Sequence, residues 1–248
     1  MDKFAIVMED VVKNFEDVTA VNHVSLHVAS GELFGLLGPN GAGKTTTVNM
    51  LCGLLKPTSG SVFVGGYDVQ KENVKVKELI GVCPQETATY PYLTGIENIE
   101  LFGNLYTLDR KTLSARRDML LEKMGLAQDA KRKVEKYSGG MKRRLSIILA
   151  LIHNPQIIFL DEPTIGMDPQ SRRAVWDFMQ ELKREGKTIF LTTHYMEEAE
   201  ILCDRVGIID YGKLIAVDAP KKLISKYGVA NLEEVFIKLT GRKIREEV

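Results

Sequence analysis

The chain has no surplus of either charge: 33 lysines and arginines stand against 33 aspartates and glutamates. A dedicated nucleic-acid binder usually carries a strong basic excess, so no nucleic-acid partner is expected. Cysteine is scarce. Cys52, Cys83 and Cys203 are far apart and form no Cys-x-x-Cys pair, the pattern of reduced thiols in a cytosolic protein rather than of a metal site. Long apolar runs are missing as well. The longest, Ile147 to Ile152, falls far short of the ~20 residues that span a bilayer. The start, Met1-Asp2-Lys3-Phe4, has no basic stretch leading into an apolar one, so no signal peptide is expected. Repeats and low-complexity tracts are absent too. What remains is 248 residues, 44% of them hydrophobic, enough to bury one large domain or two lobes.

Period-2 alternation at Val24-Ser25-Leu26-His27-Val28 and the β-rich Ile6-Val7-Met8 predict strands at the start, with a turn at Ser30-Gly31. Leu33 to Leu37 predicts a short buried strand feeding Gly38. From Lys44 the pattern turns helical, with Val48, Leu51, Cys52 and Leu55 on one face and a stop at Pro57-Thr58-Ser59-Gly60. Ser61 to Val64 predicts a strand before a Gly65-Gly66 turn. Residues 86 to 153 differ: Leu113, Leu120, Leu121 and Met124, then Leu145, Ile148, Leu149 and Ile152, recur at helical spacing with no clear strand. We read a helical lobe inserted into an α/β lobe. Afterwards strands at Ile157–Leu160 and Thr188–Thr192 flank a helix at Gln170–Arg184, expected to bury Ala174, Val175, Phe178 and Leu182. Such alternation implies a largely parallel sheet. Near the end, Asn231-Leu232-Glu233-Glu234 resembles a capping box ahead of an amphipathic helix with Leu232, Val235, Phe236 and Leu239.

Two stretches carry phosphate chemistry. Gly38-Pro39-Asn40-Gly41-Ala42-Gly43-Lys44-Thr45 fits GxxxxGK[ST] between a strand and a helix. Its glycines let backbone N–H groups converge on phosphate oxygens at a helix N-terminus. Lys44 would reach the β- and γ-phosphates, and the Thr45 hydroxyl would sit on Mg²⁺. Ile157 to Leu160 ends in Asp161-Glu162, where Asp161 is placed to hold the metal and Glu162 to orient or deprotonate a water. A second glycine motif, Tyr137-Ser138-Gly139-Gly140-Met141, opens another helix about twenty residues earlier. Two phosphate-facing motifs in one chain suggest a nucleotide clamped between two bodies.

With Gln85 after Val82-Cys83-Pro84, Asp168 in Gly166-Met167-Asp168-Pro169, and His194 after Leu191-Thr192-Thr193, this ordered set resembles the ATP-binding cassette ATPases, the nucleotide-binding subunits of ABC transporters. The resemblance covers residues 1 to about 225. It implies a P-loop core with a mainly parallel sheet (about 1–85 and 154–225), an antiparallel β subdomain, an inserted helical subdomain (about 86–153), and a C-terminal amphipathic helix and tail (226–248). It implies ATP with Mg²⁺ and the following roles. Phe15 stacks on adenine, where the family commonly has tyrosine. Pro39, Asn40, Gly41, Ala42, Gly43, Lys44, Thr45 and Thr46 hold the phosphates. Thr45, Gln85 and Asp161 serve the metal. Glu162, His194, Gln85 and Lys44 serve hydrolysis. Ser138, Gly139, Gly140 and Asp168 serve nucleotide bound by a second copy. Two chains head-to-tail would bury two ATP molecules and drive a separate integral-membrane permease, from the cytoplasm on the inner face of the cell membrane.

The departures are informative. The family's common Leu-Ser-Gly-Gly-Gln has Tyr137 and Met141 at its ends here, so the glutamine's contact near the ribose does not carry over. These two residues, the run Thr192 to Glu200, and the tail through Leu239-Thr240-Gly241-Arg242 resemble the exporter branch (ABC-2 type), which includes drug-resistance and lipid exporters. A coupling groove is expected near Gln85 and the segment 86–101, with Thr87 to Leu93 presenting an apolar patch. Lys142-Arg143-Arg144 reads as surface ion pairing between lobes. Relatives acting on ribosomes or DNA usually carry two cassettes or long insertions, which 248 residues do not accommodate. A GTPase would show Asn-Lys-x-Asp, and His153-Asn154-Pro155-Gln156 does not match it.

Overall fold

The computed structural model describes residues 3–241; the sequence-predicted tail beyond Gly241 falls outside them. In chain order the elements are β1 (Phe4–Phe15), β2 (Val18–Ala29), β3 (Leu33–Leu37), α1 (Lys44–Leu51), β4 (Ser59–Val64), β5 (Tyr67–Asp68), α2 (Asn73–Leu79) and β6 (Ile80–Cys83). Then follow α3 (Gly95–Leu105), α4 (Arg110–Lys123), a 3-10 turn at Val134–Lys136, α5 (Gly139–Leu151), β7 (Ile157–Asp161), α6 (Pro169–Arg184) and β8 (Thr188–Thr193). The chain closes through α7 (Met196–Leu202), β9 (Arg205–Asp210), β10 (Lys213–Asp218), α8 (Pro220–Tyr227) and α9 (Leu232–Thr240).

Two sheets result. The larger runs β10-β9-β3-β8-β7-β6, with every pair parallel except β9 and β10. Its central strands are apolar without alternation, and every residue of β3, β7 and β8 is buried, as expected of parallel strands covered on both faces. The smaller sheet, β2-β1-β4-β5, is antiparallel. In β2 only Val21, Val24, Leu26 and Val28 turn inward, the alternation of a sheet with one wet face. One core lies between the sheets, where Val48, Met50 and Leu51 of α1 meet Phe34, Phe159 and Phe190 and the apolar face of β1 and β2. The other joins the opposite face of the parallel sheet to α3–α5 and to α6–α9.

Several local expectations needed correction. The helix opened by Lys44 ends at Leu51, earlier than Pro57, because Gly53 takes φ +68° and its carbonyl accepts from Asn73 Nδ2 at 3.2 Å. Leu55 is therefore outside the helix. In α6 the buried residues are Val175, Trp176, Phe178, Met179 and Leu182, whereas Ala174 is exposed. The cause is a polar anchor: Trp176 Nε1 donates to the buried Glu198 at 2.8 Å. At α9, Asn231 does accept from Glu234 N at 3.0 Å, but Glu234 Oε2 reaches back to Ala230 N (2.9 Å), one residue further than a capping box requires.

The parallel register decides the rest. Leu37 of β3 lies beside Thr193 of β8, Asp161 of β7 beside Thr192, and Cys83 of β6 beside Leu160. Four adjacent strands thus end together, and the segments leaving them begin at Gly38, His194, Glu162 and Pro84. Ligands of open α/β sheets bind outside this carboxyl edge.

Candidate functional site at the carboxyl edge of the parallel sheet

The loop after β3 is held in one shape by two close approaches. A Cβ at Gly38 would come within 2.3 Å of the Ile209 carbonyl oxygen, and one at Gly43 within 2.3 Å of the Ala20 carbonyl oxygen. Gly43 also takes φ +103° as the residue before α1, a conformation open to glycine. Ala42 N donates to Pro39 O at 3.2 Å, and Gly212 N to Ala42 O at 3.0 Å. Around this loop lies a pocket of about 360 Å³ lined by Ala20, Asn40, Gly41, Gly43, Lys44, Thr45, Thr46, Gln85 and Glu162. Residues from four separate parts of the sequence therefore share one cavity.

Lys44 and Glu162 are both buried, and their charges meet at 3.1 Å between Nζ and Oε1. The ammonium also donates to Gly38 O (2.8 Å) and Pro39 O (3.1 Å), so each of its three N–H bonds has an acceptor. Glu162 Oε2 lies 3.2 Å from His194 Nδ1 without the alignment of a hydrogen bond. Burial pushes the Glu162 carboxyl up, but His194 and the Lys44 ammonium outweigh it and hold the group below the usual carboxylate range. Its backbone sits at φ +50°, which costs a non-glycine residue on the order of 1–3 kcal/mol. That conformation is tied down: Glu162 N donates to both Thr192 O and Thr192 Oγ1 at 3.1 Å. Thr192 Oγ1 in turn donates to Asp161 Oδ1.

The oxygen donors at this edge are hard: Thr45 and Gln85 line the cavity, and the buried Asp161 carboxylate at the end of β7 adjoins Glu162 in the chain. No cluster of three His, Cys, Asp or Glu side chains capable of holding a metal exists among the described residues. This set fits Mg²⁺, which is usually held by one or two carboxylates together with substrate phosphates rather than in an all-protein cage.

The remaining expected residues lie elsewhere. Phe15 is 44% exposed at the end of β1, paired with Val18, and Lys13 Nζ sits 4.9 Å from its ring centroid. It does not line the cavity, although Ala20 on the paired strand does. Asp168 is exposed and caps α6 by accepting from Ser171 N at 2.9 Å; the Ser171 hydroxyl, and then this backbone bond, hold its carboxyl below the usual value. Ser138 caps α5, accepting from Met141 N at 3.2 Å. Ser138 and Gly139 are exposed, and Gly139 has open space where a side chain would stand. None of Ser138, Gly139 and Gly140 lines the cavity around Lys44.

The flanks of that motif are structural. Tyr137 is buried, and its hydroxyl donates to Asp129 O at 2.8 Å. Met141 packs on the core shared with the parallel sheet. The basic run also departs from expectation. Arg143 is 3% exposed and pairs with no carboxylate; it donates to the backbone carbonyls of Pro84, Gln85, Asp161 and Pro163. Arg144 donates to Met124 O at 2.7 Å. The sequence reading missed Arg143 because three consecutive basic residues look like a wet face. Its spacing of four from the buried Ile147 was the available signal.

A second buried carboxyl lies behind His194. Glu198 Oε1 accepts from Thr164 Oγ1 (2.7 Å) and Trp176 Nε1 (2.8 Å), while Oε2 has no hydrogen-bond partner. Burial raises its proton affinity against these donors.

The sequence profile described as ABC transporter matches residues 21–165. A linearmycin resistance ATP-binding protein of Bacillus subtilis is 45% identical over 238 residues, covering 96% of this chain and 75% of that protein. A Nod factor export ATP-binding protein of Paraburkholderia xenovorans is 42% identical over 236 residues, covering 95% and 78%. Among solved structures, a dimeric ATP-binding cassette in a post-hydrolysis state with ADP and Pi matches at a TM-score of 0.80 and 27% identity, covering 86% of this chain and 98% of that one.

Proposed function

This chain belongs to the ABC transporter family, and from that premise we propose that it is the ATP-hydrolysing subunit of an exporter, working as a dimer beneath a separate membrane permease. It binds and hydrolyses ATP. The observation that carries the reading is the convergence of the Gly38–Thr45 loop, Gln85, Glu162 and His194 at the ends of four adjacent strands, with Lys44, Glu162 and His194 in contact.

In this reading Lys44 and the loop amides receive the phosphates, and an arriving phosphate replaces at least one of the three acceptors now on the ammonium. Glu162, ionised at neutral pH by its surroundings, takes the water's proton or aligns it. His194 orients Glu162 and meets the γ-phosphate, and Phe15 offers its exposed face to adenine. Mg²⁺ would be held by Thr45, Gln85 and Asp161, where it neutralises phosphate charge. Ser138 and Gly140 serve a second copy's nucleotide. The exposure of Ser138 and Gly139, and the separation of all three residues of the turn from their own chain's cavity, support that assignment, as does the dimeric assembly of a similar cassette. A γ-phosphate touched by both copies binds the closed dimer better than the open monomers, so hydrolysis removes the differential affinity that holds it shut.

No helix among the described residues is long and apolar enough to cross a membrane. An apolar groove of about 370 Å³ lies between α1 and β6 on one side and α3 and α5 on the other, lined by Cys52, Leu54, Ile80, Val82, Phe102 and Tyr106 among others. In the segment that leads into α3, Tyr92 is 76% exposed, and the Tyr90 backbone is clamped at both N–H and C=O by the buried Asn98. We assign this groove and the 87–93 segment to the permease, which places the protein on the inner membrane face. Export follows from the names of the similar proteins, one for resistance and one for export. The test is sedimentation with ATPγS against ADP, together with pull-down of solubilised membrane protein. Dimers with ATPγS alone and capture of a multi-span protein are expected. A monomer under both nucleotides would overturn the sandwich.

A further inference from the structure

Arg143 lies five residues after Ser138 on α5, yet its guanidinium is buried at the carboxyl edge of the parallel sheet. Nε donates to Pro163 O at 3.1 Å, and Nη1 donates to Gln85 O at 3.0 Å and to Pro84 O. Nη2 donates to Asp161 O. Four of its five N–H bonds are thereby used, all on main-chain oxygens. The acceptors form two pairs. Pro84 and Gln85 follow β6 and carry the amide assigned to metal and water; Asp161 and Pro163 flank Glu162 on either side. A buried cation is tolerated only where its donors are satisfied, and here the satisfying groups belong to the two segments that must hold their geometry for hydrolysis. Glu162 is also the strained residue of the site, at φ +50°. A planar fork can fix four carbonyls on two segments at once, which a point-charge ammonium cannot.

We propose that Arg143 is a positioning residue that couples the helix bearing Ser138 to the segments bearing Gln85 and Glu162, so that engagement of Ser138 by a second copy's nucleotide is transmitted to the hydrolytic groups of its own chain. A displacement of α5 moves the guanidinium, and the guanidinium moves the carbonyls on both sides of Glu162. The fork thus links each half-site to the hydrolytic residues beside it, and the two sites of a dimer to one another. This rests on the reading of Gln85 and Glu162 given above.

The test compares Arg143→Lys with Glu162→Gln in full-length protein, measuring steady-state ATPase, equilibrium binding of a fluorescent ATP analogue, and thermal melting. A misplacement of about 1 Å at reacting groups costs roughly 100-fold, so Arg143→Lys is expected to lower kcat by about that factor. Nucleotide affinity should stay within about twofold. A folded Arg143→Lys protein with normal kcat overturns the coupling; so does a fall in kcat matched by an equal loss of nucleotide affinity, which marks a general loss of structure. Normal turnover in Glu162→Gln would instead overturn the reading of the site. If Arg143→Lys does not fold, hydrogen exchange on the wild type decides. ATPγS should change protection in 138–144, 84–88 and 161–166 together, with one shared nucleotide dependence. Independent responses of these three segments overturn the proposal.

Discussion

Two regions of this molecule are assigned to phosphate in the function proposed above, and they differ in almost every physical respect. The Gly38–Thr45 loop with Glu162 is deep and crowded, and its charges are already paired: Lys44 has three acceptors, and Glu162 stands between it and His194. The Ser138–Gly140 turn is bare. It has a capping hydroxyl, exposed backbone and open space beside Gly139. One region gathers its groups within the chain; the other, in the reading proposed above, is a surface for a second copy. The difference teaches why the proposed function needs two bodies: the charged groups close on one another inside one chain, and the second glycine turn stays apart from them.

The comparison can be broken at either end. The largest effect is expected in the crowded region: Glu162→Gln should lower kcat by 10²–10⁴-fold while retaining ATP and accumulating dimers on size-exclusion chromatography. Near-normal turnover would remove Glu162 from its role. In the bare region, Ser138→Arg should abolish ATP-dependent dimers and reduce turnover by about 100-fold, because an intruding cation meets the partner face at a buried contact. Its monomer affinity for ATP should hold within about twofold, since its own cavity lacks Ser138. Loss of monomer binding would erase the distinction between the regions.

Smaller effects sharpen it. Phe15→Ala should weaken nucleotide binding by roughly 2- to 12-fold, the range of an aromatic stacking contact, read by titration of a fluorescent ATP analogue. An unchanged affinity would leave Phe15 as strand-end packing. Tyr137→Phe should cost about 1 kcal/mol through the lost bond to Asp129 O, seen as a Tm drop of about 2–4 °C, with unchanged ATPase. Reduced activity at unchanged Tm would return Tyr137 to the phosphate surface. The smallest effect concerns Glu198. Its proton is held more tightly in the folded protein, so its contribution to stability is full below the ordinary carboxylate value and is lost as pH rises toward the folded value. Glu198→Gln keeps an acceptor for Thr164 and Trp176 but removes that loss. Its Tm relative to wild type should climb as pH rises above the ordinary carboxylate value, and a flat difference would refute a raised value.

Much of the site could be read directly. Gly38–Thr45, Gln85, Asp161-Glu162 and His194 stand out because each follows an apolar run that can only be a buried strand. What escaped were side chains whose role depends on neighbours distant in sequence. Arg143 looked like one of three solvated bases, and nothing local says that four carbonyls from two segments converge on it. Thr192 looked like a strand residue, and Glu198 stood only as one residue of the run Thr192 to Glu200. Ala174 was placed inside by spacing alone, before Trp176 found a polar partner.

The order of its motifs, by itself, determined that this protein grips a nucleoside triphosphate with a loop between strand and helix. It also determined the Asp-Glu strand end and the second glycine turn far along the chain, because such features are local and backbone geometry dictates their residue types. Only the tertiary structure decided that Lys44, Glu162 and His194 touch while Ser138 stands apart. Parallel pairing aligns the ends of β3, β8, β7 and β6 at one edge, and α5 carries its N-terminus away from that edge while Arg143 reaches back to it. Strand register and helix direction are set by burial summed over the whole core, which no local stretch contains.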